Sequence, residues 1–120
     1  METAILIISH GSKSAKTKEE VSALTEKLRN KFNDYYLDFA FLEIETPNIP
    51  DGLNKCVSQG VKKVIIVLNF LNSGKHVDKD IPEIIAQVEK KVPHVEFLIT
   101  RPIGQHEGIV HLFTDLIESF

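Results

Sequence analysis

The chain has 120 residues, of which 42% are apolar and 26% are charged, a composition typical of one globular domain spanning residues 1–120. Its net charge of −3 argues against a nucleic-acid partner, because proteins of that class usually present a basic face. The one cysteine excludes an intrachain disulfide and fits a reducing compartment. We see no signal segment and no apolar run of about 20 residues, so we predict a cytoplasmic protein without a membrane partner.

Apolar runs and helical patterns alternate four times along the chain. Short buried runs predict strands at Thr3–Ser9, Tyr36–Leu42, Lys63–Asn69 and Val95–Thr100. Apolar residues at helical spacing predict helices at Lys18–Asn33, Pro50–Gln59, Ile81–Val92 and Gly108–Ser119. The third helix is expected to begin with Asp80 as its N-cap and to stop at Pro93. The cysteine, Cys56, falls in the second helix, where we expect a packed thiol.

This alternation predicts an α/β fold in a single domain. Right-handed crossovers give a four-stranded parallel sheet in the order 2-1-3-4, with helices on both faces. The first and third strands, which are the most apolar, are then adjacent and central. Open sheets of this kind bind ligands beyond the carboxyl ends of the strands, where the strand order reverses. The loops after the first and third strands therefore flank the expected crevice.

Two histidines follow those two strands. His10 comes directly after the first strand and precedes Gly11, which allows a sharp turn and close approach to a ligand. His76 lies in the loop after the third strand. Either one alone could be a capping or solvated histidine, but the predicted topology brings both imidazoles to one edge. With no nucleotide-binding loop beside them, the pair indicates a metal site.

A carboxylate is expected at the same edge. Glu43 ends the second strand, and Glu45 is the alternative that the sequence hardly separates from it. One carboxylate beside two neutral imidazoles suits a divalent first-row metal, although Glu43 could equally serve as a general base or be a solvated charge. Asp78 or Asp80 could accept a hydrogen bond from His76, as metal-bound histidines usually require.

Lysines and small hydroxyl residues crowd the first and third loops. Collectively they suit a ligand that carries several carboxylates, because their side chains and loop amides supply charge and hydrogen bonds. The candidate substrate-binding residues are Ser9, Ser12, Lys13, Ser73, Gly74 and Lys75. The other three histidines are read as surface or structural residues, with His106 the nearest to the crevice.

Three common motifs are missing. There is no Gly-x-x-x-x-Gly-Lys-Ser/Thr loop to imply an ATP-driven step, and no Gly-x-Gly-x-x-Gly after the first strand to bind a dinucleotide. There is also no Gly-x-Ser-x-Gly elbow to support an esterase.

The chain resembles the short CbiX/SirB-type sirohydrochlorin chelatases, which are class II tetrapyrrole chelatases. The resemblance runs along nearly the full length, and the motif after the third strand is its most specific part. The matching segments are Ser9-His10-Gly11-Ser12, Phe41-Leu42-Glu43, Pro47-x-Ile49-Pro50, Phe70-Leu71-x-x-Gly74-x-His76-Val77-x-x-Asp80-Ile81-Pro82 and Pro102-Ile103-Gly104. Asn69 and Asn72 depart from the family pattern, in which we expect more apolar or small residues.

The resemblance implies insertion of a divalent metal into sirohydrochlorin without ATP, with cobalt favoured and iron or nickel possible, on the way to cobalamin or sirohaem. It implies that His10, His76 and Glu43 are both metal ligands and catalytic residues, and that the metal is a substrate rather than a permanent cofactor. It also implies a homodimer in place of the longer tandem relatives. The alternatives are a non-catalytic metal carrier and a histidine-phosphatase-like enzyme. The latter would carry a phosphate-binding arginine where this chain has Ser9.

Overall fold

The computed structural model describes residues 1–120 and contains one sheet of four parallel strands. The strands are β1 (Thr3–Ser9), β2 (Tyr36–Phe41), β3 (Lys63–Leu68) and β4 (Glu96–Ile99). Their order in the sheet is β2-β1-β3-β4, which confirms the predicted topology. The helices are α1 (Ala15–Lys31), α2 (Ile49–Ser58), α3 (Ile81–Glu89) and α4 (Gly108–Ile117). None of these helices has the length and apolar character of a membrane span.

The main core lies between the sheet and the helices α2 and α3. Alternate residues of β1 and β3, such as Leu6, Ile8 and Ile66, point to this side and are completely buried. Leu53 of α2 and Ile81 of α3 close the layer from above and are equally buried. This core contains sixteen buried residues and fixes the two central strands side by side.

The opposite face of the sheet is covered less completely. Helix α1 packs there through Leu28 over Ile5, Ile7 and Leu37, which are the three buried residues of a second, smaller core. Helices therefore lie on both faces, as predicted. The fourth helix, however, has no buried residue and packs on neither face.

Capping side chains explain where the first two helices begin. Helix α1 starts three residues before the predicted Lys18, because Ser14 accepts a hydrogen bond from the Lys16 amide. Helix α2 starts at Ile49, one residue early, because Asn48 Oδ1 accepts from the Asp51 amide at 2.8 Å. The strand bounds and the end of α4 agree with the predictions to within two residues.

Helix α3 begins at Ile81, as predicted, but the predicted N-cap and the predicted C-terminal end were wrong. Asp80 is not an N-cap, because its backbone is already helical and it follows a π-helical turn, His76–Asp80, that runs directly into α3. At the other end α3 stops at Glu89, and the chain tightens into i→i+3 hydrogen bonds such as Val92 N to Glu89 O. Pro93 disfavours helical backbone at the residue before it, which accounts for this early ending.

Candidate metal centre

The backbone brings Glu43 beside His10. Hydrogen bonding between β1 and β2 continues past both strand ends, with Leu42 N donating to Ser9 O at 2.9 Å and Glu43 N donating to His10 O at 3.0 Å. Gly11 then turns the chain with a φ of +104°, and a Cβ atom there would lie 1.9 Å from the Glu43 carbonyl oxygen. Only glycine fits this position, so the His-Gly pair is required by the close approach of the two loops.

His10 and Glu43 are in direct contact through their side chains. His10 Nε2 lies 2.7 Å from Glu43 Oε1, within hydrogen-bonding distance. Both side chains are about half exposed, at 46% and 50%, so the contact is open to a ligand arriving from solvent. A metal ion that binds here therefore competes with this hydrogen bond for His10 Nε2 and Glu43 Oε1.

His76 is oriented by a different carboxylate. It is the first residue of the π-helical turn, and its Nδ1 lies 2.8 Å from Asp80 Oδ2, one helical turn further on. If Nδ1 carries the proton of that hydrogen bond, Nε2 is left unprotonated and free to bind a metal. Of the two acidic residues that the sequence offered for this role, Asp80 makes the contact, and Asp78 makes no side-chain hydrogen bond.

The three predicted metal-site residues come together in space. One ligand atom from each of His10, Glu43 and His76 lies within 4.8 Å of the other two. The two imidazole rings are 5.3 Å apart between centroids and are tilted by 41°. Ligands around a metal with bonds of roughly 2.1 Å sit about 3.5 Å apart in tetrahedral geometry. Small rotations of these half-exposed side chains therefore suffice to close the set around one ion.

Glu45 has a separate role. Its Oε1 accepts a hydrogen bond from the Ser12 amide at 2.8 Å, which ties the loop after β2 to the loop after β1. The residue between the two glutamates, Ile44, has a φ of +71°, which is strained for a β-branched side chain. Ile44 lies in a tight turn in which Glu45 N donates to Glu43 O at 2.8 Å. On either side of this turn the two carboxylates have different partners: Glu43 contacts His10, and Glu45 accepts from the Ser12 amide.

The proposed substrate-binding residues occupy different environments around this centre. Ser9 is buried, and its hydroxyl accepts a hydrogen bond from the Asn69 side chain at 3.0 Å. Lys13 and Lys75 are exposed and bonded to no carboxylate, so their charges are available to a ligand. Ser12, Ser73 and Gly74 lie in the same two loops.

The loops after β3 and β4 are hydrogen-bonded to each other. Gln105 Nε2 donates to Ser73 Oγ at 2.5 Å, and Gly104 N donates to Phe70 O at 3.1 Å. A Cβ atom at Gly104 would lie 1.8 Å from the Leu71 carbonyl oxygen, so this approach also requires glycine. The fourth loop thereby supports the loop that carries His76.

Sequence reasoning missed the part that α3 plays in the site. An open cavity beside the metal centre is lined by Glu43 and His76 and, from the same helical side, by Asp80 and Glu83. The spacing His76, Asp80 and Glu83, at i, i+4 and i+7, is the signal that would have revealed this shared face. The sequence hides it, because its pattern predicts a loop up to Lys79 where the structure has the π-helical turn His76–Asp80.

The remaining candidate ligands lie apart from the centre. Burial raises the pKa of the Cys56 thiol to about 12, so it stays protonated and does not serve as a metal ligand. His106 Nδ1 accepts a hydrogen bond from the Gly108 amide at the start of α4, and His111 faces Asp115 on the same helix. His94 is exposed at the amino edge of the sheet.

Comparison with known proteins identifies similar chains. The CbiX family model matches residues 4–119. The sirohydrochlorin ferrochelatase of Bacillus subtilis is 34% identical over 110 residues, covering 92% of this chain and 42% of its own length. The sirohydrochlorin cobaltochelatase of Methanosarcina acetivorans is 33% identical over 115 residues, covering 90% of this chain and 88% of its own length.

A solved structure shows the same fold. The sirohydrochlorin chelatase SirB from Bacillus subtilis subspecies spizizenii, in complex with cobalt, superposes with a TM-score of 0.90 at 30% identity. The match covers 100% of this chain and 51% of that one. The chain likewise spans about half the length of the curated ferrochelatases it matches, at 51%, 42% and 44%.

Proposed function

The chain belongs to the CbiX family, and on that premise we propose that it inserts a divalent metal ion into sirohydrochlorin without ATP. The observation that carries the proposal is the convergence of His10, Glu43 and His76 within 4.8 Å at the carboxyl edge of the sheet. Two imidazoles and one carboxylate make a donor set that binds first-row divalent metals. In this proposal residues 1–120 act as one CbiX-type domain, located in the cytoplasm.

The first step is capture of the metal as a substrate. The ion displaces the proton between His10 Nε2 and Glu43 Oε1, and Nε2 of His76 supplies the third ligand. Because a proton is displaced, metal affinity rises with pH. Three half-exposed protein ligands hold the ion less tightly than a closed four-ligand site does. This weaker binding allows the ion to pass from the protein to the macrocycle.

The second step is transfer into the macrocycle. Two pyrrole protons must leave as the metal enters, and a neutral imidazole accepts protons well near neutral pH. In this scheme the ion leaves Nε2 of His10 and of His76 for the pyrrole nitrogens, and the two freed imidazole nitrogens take up the two pyrrole protons. Glu43 carries protons towards solvent. Lys13, Lys75 and the hydroxyls of the neighbouring loops bind the peripheral carboxylates of the macrocycle.

Cobalt is the metal we propose. Three relatives of which this chain covers 88% or more are named sirohydrochlorin cobaltochelatases, from Methanocaldococcus jannaschii, Methanococcoides burtonii and Methanosarcina acetivorans. The ferrochelatases that it matches are about twice its length. A longer relative from Priestia megaterium, of which this chain covers 38%, is also named a sirohydrochlorin cobaltochelatase. The cobalt proposal therefore rests on the relatives of similar length to this chain, and the donor set accepts both metals.

An anaerobic absorbance time course tests the function. Sirohydrochlorin is mixed with Co²⁺, Fe²⁺ or Ni²⁺, with and without protein, and no ATP is added. We expect a protein-dependent spectral change that is fastest with Co²⁺ and is lost in His10→Ala but kept in His94→Ala. Tight Co²⁺ binding without any acceleration would instead indicate a metal carrier and would overturn the enzymatic proposal.

A further inference from the structure

The metal centre is open to solvent on two sides of the sheet edge. On the side of α3, a cavity of about 470 Å³ is lined by Glu43 and His76, two of the three metal-site residues. On the side of α1, a second cavity of about 520 Å³ is lined by the third, His10, and by Asn69, which directly follows β3. The two cavities share no lining residue. Two different molecules can therefore reach the centre together, one from each side.

The cavity on the side of α3 carries negative charge. Three carboxylates line it, from Glu43, Asp80 and Glu83, and its lining contains no lysine or arginine. A cleft lined by one sign of charge raises the local concentration of ions of the opposite sign. This cavity therefore attracts a divalent cation and repels a ligand that carries several carboxylates.

Glu83 is the one carboxylate of this cavity that has no partner in the chain. Glu43 lies 2.7 Å from His10 Nε2, and Asp80 lies 2.8 Å from His76 Nδ1. Glu83, in contrast, is exposed and makes neither a side-chain hydrogen bond nor a salt bridge. It also lies outside the group of three residues whose ligand atoms come within 4.8 Å of one another. Its charge is therefore available to an ion that has not yet reached the centre.

Helical geometry places Glu83 on the approach to His76. The π-helical turn runs directly into α3, and the lining residues His76, Asp80, Glu83 and Gln87 share one face of this continuous segment. Glu83 is seven residues after His76, which corresponds to roughly 10 Å along the helix axis. A cation that approaches along this face meets Glu83 before it meets His76. The separation is about one Debye length at 0.1 M salt, so the attraction is strongest in dilute buffer.

The cavity on the side of α1 suits a polycarboxylate better. Its polar lining consists mainly of hydroxyl and amide groups, such as those of Ser12, Thr17 and Asn69, and Glu20 is its single carboxylate. The exposed Lys13 follows Ser12 in the same loop and adds a positive charge. Donors of this kind bind carboxylates, whereas the three carboxylates on the other side repel them.

We propose that Glu83 recruits the metal ion, so that the ion enters the centre from the side of α3 while the carboxylate-bearing macrocycle approaches from the side of α1. This inference rests on the proposed function and adds the route of each substrate. The ion passes from Glu83 to the ligand atoms of His76 and Glu43, and His10 lies on the side that faces the macrocycle. Glu83 acts through its charge and is not a ligand at the centre.

Rates of Co²⁺ association test the metal route. Stopped-flow mixing under anaerobic conditions follows the visible absorption of the bound ion. Glu83→Gln removes the charge at nearly constant size, and Glu83→Lys reverses it. Glu89→Gln is the matched control, because Glu89 is exposed on the same helix and does not line the cavity. At low ionic strength we expect association with Glu83→Gln to be roughly threefold slower than with the wild type or Glu89→Gln, and slower still with Glu83→Lys. These differences should shrink at high salt.

Equilibrium binding of metal-free sirohydrochlorin tests the macrocycle route. We expect Glu83→Gln and Glu83→Lys, once circular dichroism shows that they are folded, to bind it as tightly as the wild type does. Tighter binding by Glu83→Lys would mean that the macrocycle enters over the acidic cavity and would overturn the proposal. Equal Co²⁺ association rates in Glu83→Gln and Glu89→Gln, or a difference that persists at high salt, would also overturn it. Because neither measurement needs turnover, these effects without metal insertion would overturn the proposed function alone.

Discussion

The contact between His76 and Asp80 gives a quantitative prediction. Asp80→Ala removes the carboxylate that lies 2.8 Å from His76 Nδ1 and leaves the imidazole free to rotate and to change tautomer. Hydrogen bonds to charged groups contribute about 1.5–3 kcal/mol, and the partial exposure of this pair, at 50% and 28%, places it at the lower end. A loss of about 1.4 kcal/mol is tenfold in a binding constant, so we expect roughly a tenfold loss of Co²⁺ affinity.

The assay is an anaerobic titration of Co²⁺ against a competing chromophoric chelator. Asp78→Ala is the matched control, because Asp78 lies on the same turn but makes no contact with His76. We expect wild-type affinity in Asp78→Ala, and circular dichroism should show that both variants are folded. Equal affinities in Asp80→Ala and wild type, or an equal loss in Asp78→Ala, would refute the assigned orientation of His76.

Three further predictions concern Glu45, Gly11 and Cys56. Glu45→Ala should weaken Co²⁺ binding less than Glu43→Ala does in the same titration, because only Glu43 contacts His10; an equal or larger loss would reverse the assignment. In urea denaturation, Gly11→Ala should lower the free energy of unfolding by about 3 kcal/mol. The control is Gly60→Ala, whose added Cβ meets no atom within 4 Å and which should lower it by about 1 kcal/mol. Similar losses in the two variants would refute the close approach of Gly11 to Glu43. The pKa of Cys56 rises from 9.0 to about 12 on folding, so the folded chain keeps a proton that the unfolded chain releases above pH 9. Relative to Cys56→Ala, the free energy of unfolding should therefore fall as the pH rises from 9 towards 12; parallel profiles would contradict it.

The sheet could be predicted because each strand is a short apolar run bounded by clear breaks. Strand β1 is buried on both faces, and β3 is buried on one face and half-buried on the other, which produces the continuous apolar runs within Thr3–Ser9 and Lys63–Leu68. Right-handed crossovers then leave one arrangement that places these two strands at the centre. The convergence of His10 and His76 follows from that topology, which is why local patterns were sufficient to bring the two residues together.

Details that depend on contacts distant in sequence could not be predicted in the same way. Glu43 and Glu45 have the same side chain and similar neighbours, and only the turn at Ile44 and the bond to Ser12 separate their roles. The position of α4 was missed for a related reason. Its pattern indicates an amphipathic helix, but a periodic pattern does not reveal which surface the helix covers.

X-ray absorption at the cobalt edge tests the central claim most directly. The protein is loaded with one equivalent of Co²⁺ under anaerobic conditions, and the ligands are compared between wild type and His76→Ala. We predict two imidazole ligands, with Co–N distances near 2.1 Å, in the wild type and one in the variant. A wild-type spectrum without imidazole ligands, or one that His76→Ala leaves unchanged, would contradict a metal centre built from His10, Glu43 and His76.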